Sequence, residues 1–435
     1  MPSETLDSSA LQSDPENGRM SHQRWVVCAL LFAATVIAYV DRGVIANLEP
    51  NLQNVIPGLD LRTYGFITAT FQTAYALAMF FAGGLTDKLG VRKAFIYAIA
   101  LWSVAAMLPG AAFSVFSLGV AMFILGLGEA ANFPACIRTV AEWFPRKERT
   151  LATSLFNSGA NVGNMIVPVL VPWFLTFSSW RGAFVISGAI GLLWLVVWIF
   201  YYRRPEEHPR VSKAELAHIL SDPGEKVQSV PWSHIFPIKE TWGFAIAKFL
   251  TDPIWWFYLF WIPPYLRRED TFHLTLNEAR MPVVMAYAIS IIGSVGAGYA
   301  NSFLVGRGVN PNLARKGTML ACVALIIPIF AVPYVHDLWL VVALLGMATA
   351  GHQGWSANLF TVPSDVFPKS AVASVTGFGG MAGAVGGILL QGGAGVLVTY
   401  TGSFKTLFLI ACLAYPTAML ILHAATPRLA PAKLK

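Results

Sequence analysis

Several stretches of this 435-residue chain set ionisable or hydrogen-bonding side chains inside long apolar runs, where they cost free energy unless paired, hydrated or used. AYVDRGVIANL carries Tyr39, Asp41 and Arg42. An arginine cannot shed its proton and its planar fork suits a carboxylate, whereas an aspartate can lose and regain one. Helix neighbours point about 100° apart, so Asp41 and Arg42 must address different partners. Two readings fit: a buried site, favoured because Ile45, Ala46 and Asn47 extend the run beyond them, or a pair that snorkels to the outer interface. FILGLGEAANFP places Glu129 near the middle of another run, without a basic residue three or four positions away. A carboxylate isolated there binds a proton readily unless Arg42 reaches it from a different helix.

The second half of the chain is less decisive. Lys248 and Asp252, four residues apart and followed by Pro253, either serve a site or neutralise one another at a kink. His352 and Gln353 in ATAGHQGWSANLF either bind hydroxyls or a carboxylate, or are satisfied inside a bundle. In DPIWWFYLFWIPPY, Trp261 and Tyr265 read as interfacial belt residues. One of the deeper Trp255, Trp256 and Tyr258 is expected to face a cavity, where a ring can stack on the apolar face of a sugar; Trp255 is taken as that residue.

The elements that must hold these groups follow from composition. With 56% hydrophobic and 12% charged residues, the chain has too little polar surface for a water-soluble globule. Crossing ~30 Å of hydrocarbon takes ~20 mostly apolar residues. Runs of that kind begin near Trp25, Tyr64, Ala94, Leu118, Leu151 and Gly182, and again near Trp242, Pro282, Gly317, Leu338, Val372 and Phe404. The expectation is an all-α membrane protein of twelve transmembrane helices in two six-helix bundles, residues 23–202 and 241–424. A cytoplasmic linker, 203–240, joins them, and tails of 1–22 and 425–435 flank them. The first tail is polar and lacks the apolar core of a signal peptide, so it reads as disordered. With the N-terminus inside, 21 of the 30 lysines and arginines fall in cytoplasmic segments and 6 in outer loops, which orients both termini to the cytoplasm and accounts for the net charge of +7 without nucleic acid. The four cysteines stand singly in separate runs, so neither a disulfide framework nor a metal site is expected.

The two halves also repeat. At an offset of 223 residues Phe144-Pro145 meets Phe367-Pro368, Gly163 meets Gly386, and Glu129 falls opposite His352. Parallel six-helix repeats with a site between them are the layout of rocking carriers. Glycines four apart, Gly159 and Gly163, and Gly379, Gly383 and Gly387, allow close helix approach. Motifs for covalent chemistry, such as HExxH, GxSxG or GxxxxGK, are missing from the sequence, so an enzyme is not expected.

GGLTDKLGVRK, residues 83–93, is similar to the signature loop of the major facilitator superfamily, and VGRGVNPNLARK resembles a degraded second copy. With YVDR, GLGEAANFPA running to AEWFPRKER, KFLTDPIWWFYLFWIPPY and GHQGWSANLFTVPSDVFP, the chain from Trp25 to about Leu422 resembles bacterial hexuronate transporters of the anion:cation symporter family. That resemblance implies the major facilitator fold in a bacterial inner membrane and a monomer without cofactor, metal or catalytic residue. It implies Tyr39, Arg42 and Tyr75 around a small organic anion, Asp41 and Glu129 as proton carriers, and His352, Gln353 and Asn358 on the opposite wall. Asp87 and Arg92 would act in gating. The chain keeps Asp41 as sugar-acid relatives do, and has Ala160 where they often place a polar residue, which leaves the sugar acid open. The alternative is a sodium-coupled or exchange carrier of galactonate, glucarate or an aromatic carboxylate. In the empty carrier Arg42 is expected to pair with a carboxylate, which protons arriving from outside would release.

Overall fold

A computed structural model describes residues 20–221, 235–268, 271–367 and 369–429, and every α-helical or 3-10 element among them is helical, with no strand. The first half comprises α1 (Gln23–Gln53), α2 (Leu61–Leu89), α3 (Val91–Met107), α4 (Val115–Glu129), α5 (Asn132–Trp143), α6 (Arg146–Phe177) and α7 (Trp180–Tyr201). The short α8 (Lys213–Ile219) follows. The second half comprises α9 (Lys239–Arg267), α10 (Leu276–Gly306), α11 (Pro311–Ile326), α12 (Leu338–Leu359), α13 (Val362–Val366), α14 (Lys369–Thr401) and α15 (Lys405–Ala425). Helix covers each of the twelve apolar runs. Among the described residues, nine helical stretches are long and apolar enough to cross a membrane. The polar groups Lys248 and Asp252 lie in α9, and His352 and Gln353 in α12, neither of which is among the nine. The tail expectation for 1–22 falls mostly on residues 1–19, outside the described residues.

Local chemistry sets the helix ends. Asp60 accepts the Thr63 amide at 2.7 Å, and Ser114 and Thr275 make the same reciprocal caps at α4 and α10. Gly90 takes φ +75° between α2 and α3, a backbone that only glycine adopts without strain. Proline lacks an N–H and its ring collides with the carbonyl four residues back. Pro134 therefore ends α4 next to Glu129, and Pro363 ends α12 at Leu359, so the same device interrupts the fourth helix of both halves.

Packing repeats as the sequence does. In the first half α1 lies along α6, α2 along α4, and α3 along α7; in the second, α9 lies along α14 and α10 along α12. Two crossed pairs join the halves, α2 with α14 and α6 with α10. Glycine makes the first possible: a Cβ on Gly65 would stand 2.8 Å from the Gln391 carbonyl oxygen, and one on Gly395 2.3 Å from that of Leu61. The junction where α1 ends and α2 begins is tied across the halves by Arg267, which donates to the Asn47 carbonyl and, at 2.7 Å, to Asn51 Oδ1. Tyr64 donates to the Phe260 carbonyl at 2.9 Å in the same region.

Candidate functional site

Arg42 lies on the face of α1 that meets α4, α2 and α9, and it is 3% exposed. Its Nε donates to Glu129 Oε2. Four rings surround the guanidinium carbon, with centroids 4.8 Å away at Tyr39, 4.9 Å at Tyr75, 5.4 Å at Phe71 and 5.3 Å at Trp256. Three of these come from the first half and Trp256 comes from the second, so the arginine sits at the boundary between bundles. A guanidinium offers its edge to a carboxylate and its faces to π-systems. Each desolvated cation–π contact is worth ~2 kcal/mol, which helps offset the several kcal/mol lost when both charges leave water. Glu129 Oε1 is buried without a hydrogen-bond partner. The carboxylate is therefore held on one side only.

Asp41 stands in the same interior. It is buried, neither oxygen has a hydrogen-bond partner, and the Ser187 hydroxyl of α7 stands beside it. The snorkelling reading of Asp41 and Arg42 does not hold, because both side chains point into protein.

The opposite wall is partly as expected. Gln353 Nε2 donates to Asn161 Oδ1 at 2.7 Å, a bond between the halves that brings in a residue the sequence reading overlooked. Asn164, one turn on in α6, is fully buried with its amide nitrogen and oxygen both unpartnered. His352 lies deeper in the second bundle, 2.5 Å from the Tyr415 hydroxyl and stacked on Trp255 at 5.1 Å. Asn358 donates to the Gly354 carbonyl of its own helix at 2.9 Å. Trp255 thus packs on His352, while its neighbour Trp256, about 100° around the helix, covers Arg42. Lys248 and Asp252 form an ion pair of 2.7 Å, with the ammonium 3.8 Å from the Phe360 ring centroid.

The belt expectation for Trp261 and Tyr265 is corrected. Both are buried: Trp261 donates to Gln391 Oε1 at 2.8 Å, and Tyr265 donates to the Val332 carbonyl. Thr68 donates to the same Gln391 oxygen at 3.2 Å, so this wall of α9 is fastened to α14 and α2 rather than turned to lipid headgroups.

Of the two residues expected to act in gating, the side chain of Asp87 lies outside the described residues. Arg92 donates to the Ile199 carbonyl at 2.8 Å, binding the start of α3 to the last turn of α7. At the same end, α8 is docked on the first half. Glu215 accepts the Gln23 amide at 2.9 Å, the Arg24 amide at 3.1 Å and the Arg24 guanidinium at 3.0 Å, while Arg24 also reaches Glu148 at 2.9 Å and His218 meets Glu148 at 3.0 Å. Burial acts to raise both carboxyls, but these hydrogen bonds outweigh it and hold Glu148 and Glu215 below the usual carboxylate range. No group of three or more metal-ligating side chains occurs among the described residues.

Residues 31–391 match the family described as Major Facilitator Superfamily. The chain is 31% identical over 400 residues to the hexuronate transporter of Escherichia coli (strain K12), covering 89% of this chain and 90% of that one. It is 27% identical over 405 residues to the D-galactonate transporter of Escherichia coli O6:H1, covering 90% and 93%. Among solved structures, a D-xylose-proton symporter superposes with a TM-score of 0.72 at 14% identity over 93% of this chain and 98% of that one.

Proposed function

Because the chain belongs to the major facilitator superfamily and is a membrane transport protein rather than an enzyme, we propose that it imports a sugar-acid anion together with protons, a hexuronate before other acids. Alternating access would proceed by rocking residues 23–202 against 241–424. The twelve runs would each cross a bacterial inner membrane with both termini in the cytoplasm, a reading supported by the bias of lysine and arginine toward one set of loops. The junction tied by Arg267, Asn47 and Asn51 then becomes the outer end.

One observation carries the proposal: a permanent cation at the boundary between the halves, paired with a single buried carboxylate on one side and caged by rings. The substrate carboxylate would take the place of Glu129 on the Arg42 fork once Glu129 accepts a proton. Tyr39 and Tyr75 border that position, Trp256 offers a face for a sugar ring, and Asn161 with Gln353 offers amide donors and acceptors for its hydroxyls. Protonation and anion binding are thereby coupled, since a charged Glu129 competes for the same edge. Trp255, His352 and Asn358 would support this wall from behind. Asp87 and Arg92 would gate the cytoplasmic end.

The test is uptake of labelled D-galacturonate into proteoliposomes under an inwardly directed proton gradient. Wild type is expected to concentrate the label, and Glu129→Gln to exchange it without concentrating it. A Glu129→Gln carrier that still accumulates galacturonate removes the assignment, and wild-type uptake that follows sodium or a counter-anion instead of protons replaces the coupling ion.

A further inference from the structure

Lys248 and Asp252 have no role in the proposed exchange at Arg42, yet they repeat the construction of that pair. The first helix of each half, α1 and α9, carries a buried cation bound to one carboxylate and set against an aromatic ring. In α1 this is Arg42 with Glu129; in α9 it is Lys248 with Asp252 at 2.7 Å and the Phe360 ring centroid at 3.8 Å. The two pairs are connected along α9. Lys248, Asp252 and Trp256 stand four residues apart on one face, and Trp256 covers the Arg42 guanidinium. Eight residues at ~1.5 Å each put Lys248 about 12 Å from Trp256 along the helix, toward its first turn.

This face of α9 borders open space. From Thr251 to Leu266 every residue is buried except Asp252 and Trp256. The pair is unequal: the Lys248 side chain is 4% exposed and that of Asp252 22%, so the carboxylate lies on the accessible side of the ammonium. Gly383 of α14 leaves room for that carboxylate, which a Cβ there would strike. On a neighbouring face of α14, a Cβ on Gly387 would come within 3.2 Å of Gln72 Nε2 on α2, whereas one on Gly380, two turns earlier, would meet no described atom within 4 Å. The halves therefore meet near Gly387 and part toward the start of α14, the end read as cytoplasmic, and Asp252 lies at this parting. Neutralising charge at a kink calls for no such opening.

We propose that Lys248 is a second station for the carboxylate of the transported anion, occupied between release from Arg42 and exit toward the cytoplasm, with Asp252 holding the ammonium when no anion is there. The inference rests on the transport reading above and adds a site to it. An ammonium has three N–H donors, so an incoming carboxylate can bind before Asp252 swings away, and the buried charge is never left alone. Asp252 then turns into the open space it already borders. An anion displaced from Arg42 as Glu129 returns to the fork thus meets a cation two turns away, and Trp256 between the two stations offers a ring face over which a sugar can pass. No covalent bond changes in the step.

Chemical rescue of the full-length purified chain tests this without a sugar. Asp252→Ala, or Asp252→Asn should that chain fail to fold, leaves Lys248 without its carboxylate and is expected to melt below wild type. Sodium acetate, compared with sodium chloride at equal ionic strength, should raise that melting temperature, as binding to the folded state does, and should raise it less when Lys248→Gln is added. The transport arm uses Lys248→Gln combined with Asp252→Asn, in which both charges are gone and no ion is left unpaired. D-galacturonate counterflow in proteoliposomes is expected to fall about tenfold, while the dissociation constant for D-galacturonate stays within about twofold of wild type because Arg42 is intact. A merely structural pair predicts an acetate effect that does not depend on Lys248 and exchange that matches wild type, and either outcome overturns the proposal. A wild-type chain that neither binds nor carries galacturonate defeats the transport reading alone, since the acetate arm still decides whether Lys248 takes a carboxylate from water.

Discussion

Arg42 and Glu129 each make the other tolerable in a place where neither would be stable alone. Removing one partner of a buried, hydrogen-bonded charge pair costs about 2–5 kcal/mol, mostly because the survivor is left uncompensated. Arg42→Ala should therefore lower the melting temperature of the purified chain as well as abolish galacturonate binding, a loss of on the order of 30-fold or more in affinity. Combining Arg42→Ala with Glu129→Gln removes both charges and should recover stability without recovering binding. Thermal unfolding with and without ligand separates the two effects, and a double variant as unstable as Arg42→Ala alone contradicts the pairing. The rings around Arg42 explain why lysine is a poor replacement: a compact ammonium cannot present an edge to a carboxylate and two faces to Tyr39, Tyr75 and Trp256 at once.

Two elements are placed to control movement. The α2–α14 contact relies on Gly65 and Gly395, and any side chain at either collides with backbone, which cannot swing aside. Gly65→Val should hold the α2–α14 junction apart. The expected outcome is a folded carrier that loses uptake and exchange, while a cysteine introduced at Asn51 becomes more reactive to an impermeant thiol reagent. The second element is α8, clasped to Arg24 through Glu215 and to Glu148 through His218. Both carboxyls lie below their usual 4.5, so their contribution is present in full above that value and is lost as pH falls below it and protons displace Arg24. Glu215→Gln should abolish the part of the stability loss between pH 5 and pH 3 that belongs to this clasp, measured as protease cleavage near residue 220. An unchanged pH profile argues against the clasp. The clasp was not legible in sequence, because its members, Arg24, Glu148 and Glu215, lie more than 60 residues apart and each alone reads as an ordinary solvated charge.

For the whole molecule, the proposed proton coupling is a matter of charge balance. One proton with a monoanion is neutral, whereas two titratable acids, Asp41 and Glu129, permit two protons and one net positive charge inward. Each such charge gains ~2.3 kcal/mol per 100 mV, enough for roughly 50-fold accumulation from the potential alone. Galacturonate added to proteoliposomes on a solid-supported membrane should thus evoke an inward positive current. Sustained pH-driven uptake without current leaves one proton per anion and a single coupling acid. In the proposed alternating access, the repeat and the crossed packing of α2 on α14 and α6 on α10 would let the halves move as bodies around Arg42.

What the sequence determined by itself is local in origin. In lipid every backbone group must bond within its own segment, so apolar length alone specifies helices, and proline, capping and glycine signals specify where they stop. The same logic marks Arg42, Asp41 and Glu129, since charge inside an apolar run is informative wherever the helix ends up. Tertiary structure decided the partners. Which way a side chain points depends on rotation of its helix about its axis, and that rotation is set by packing against segments far away in the chain. Trp256 covers the guanidinium and Trp255 does not; Arg42 meets Glu129, whereas neither oxygen of its neighbour Asp41 has a hydrogen-bond partner. One step of about 100° around a helix separates the members of each neighbouring pair, and only the assembled bundle selects between them.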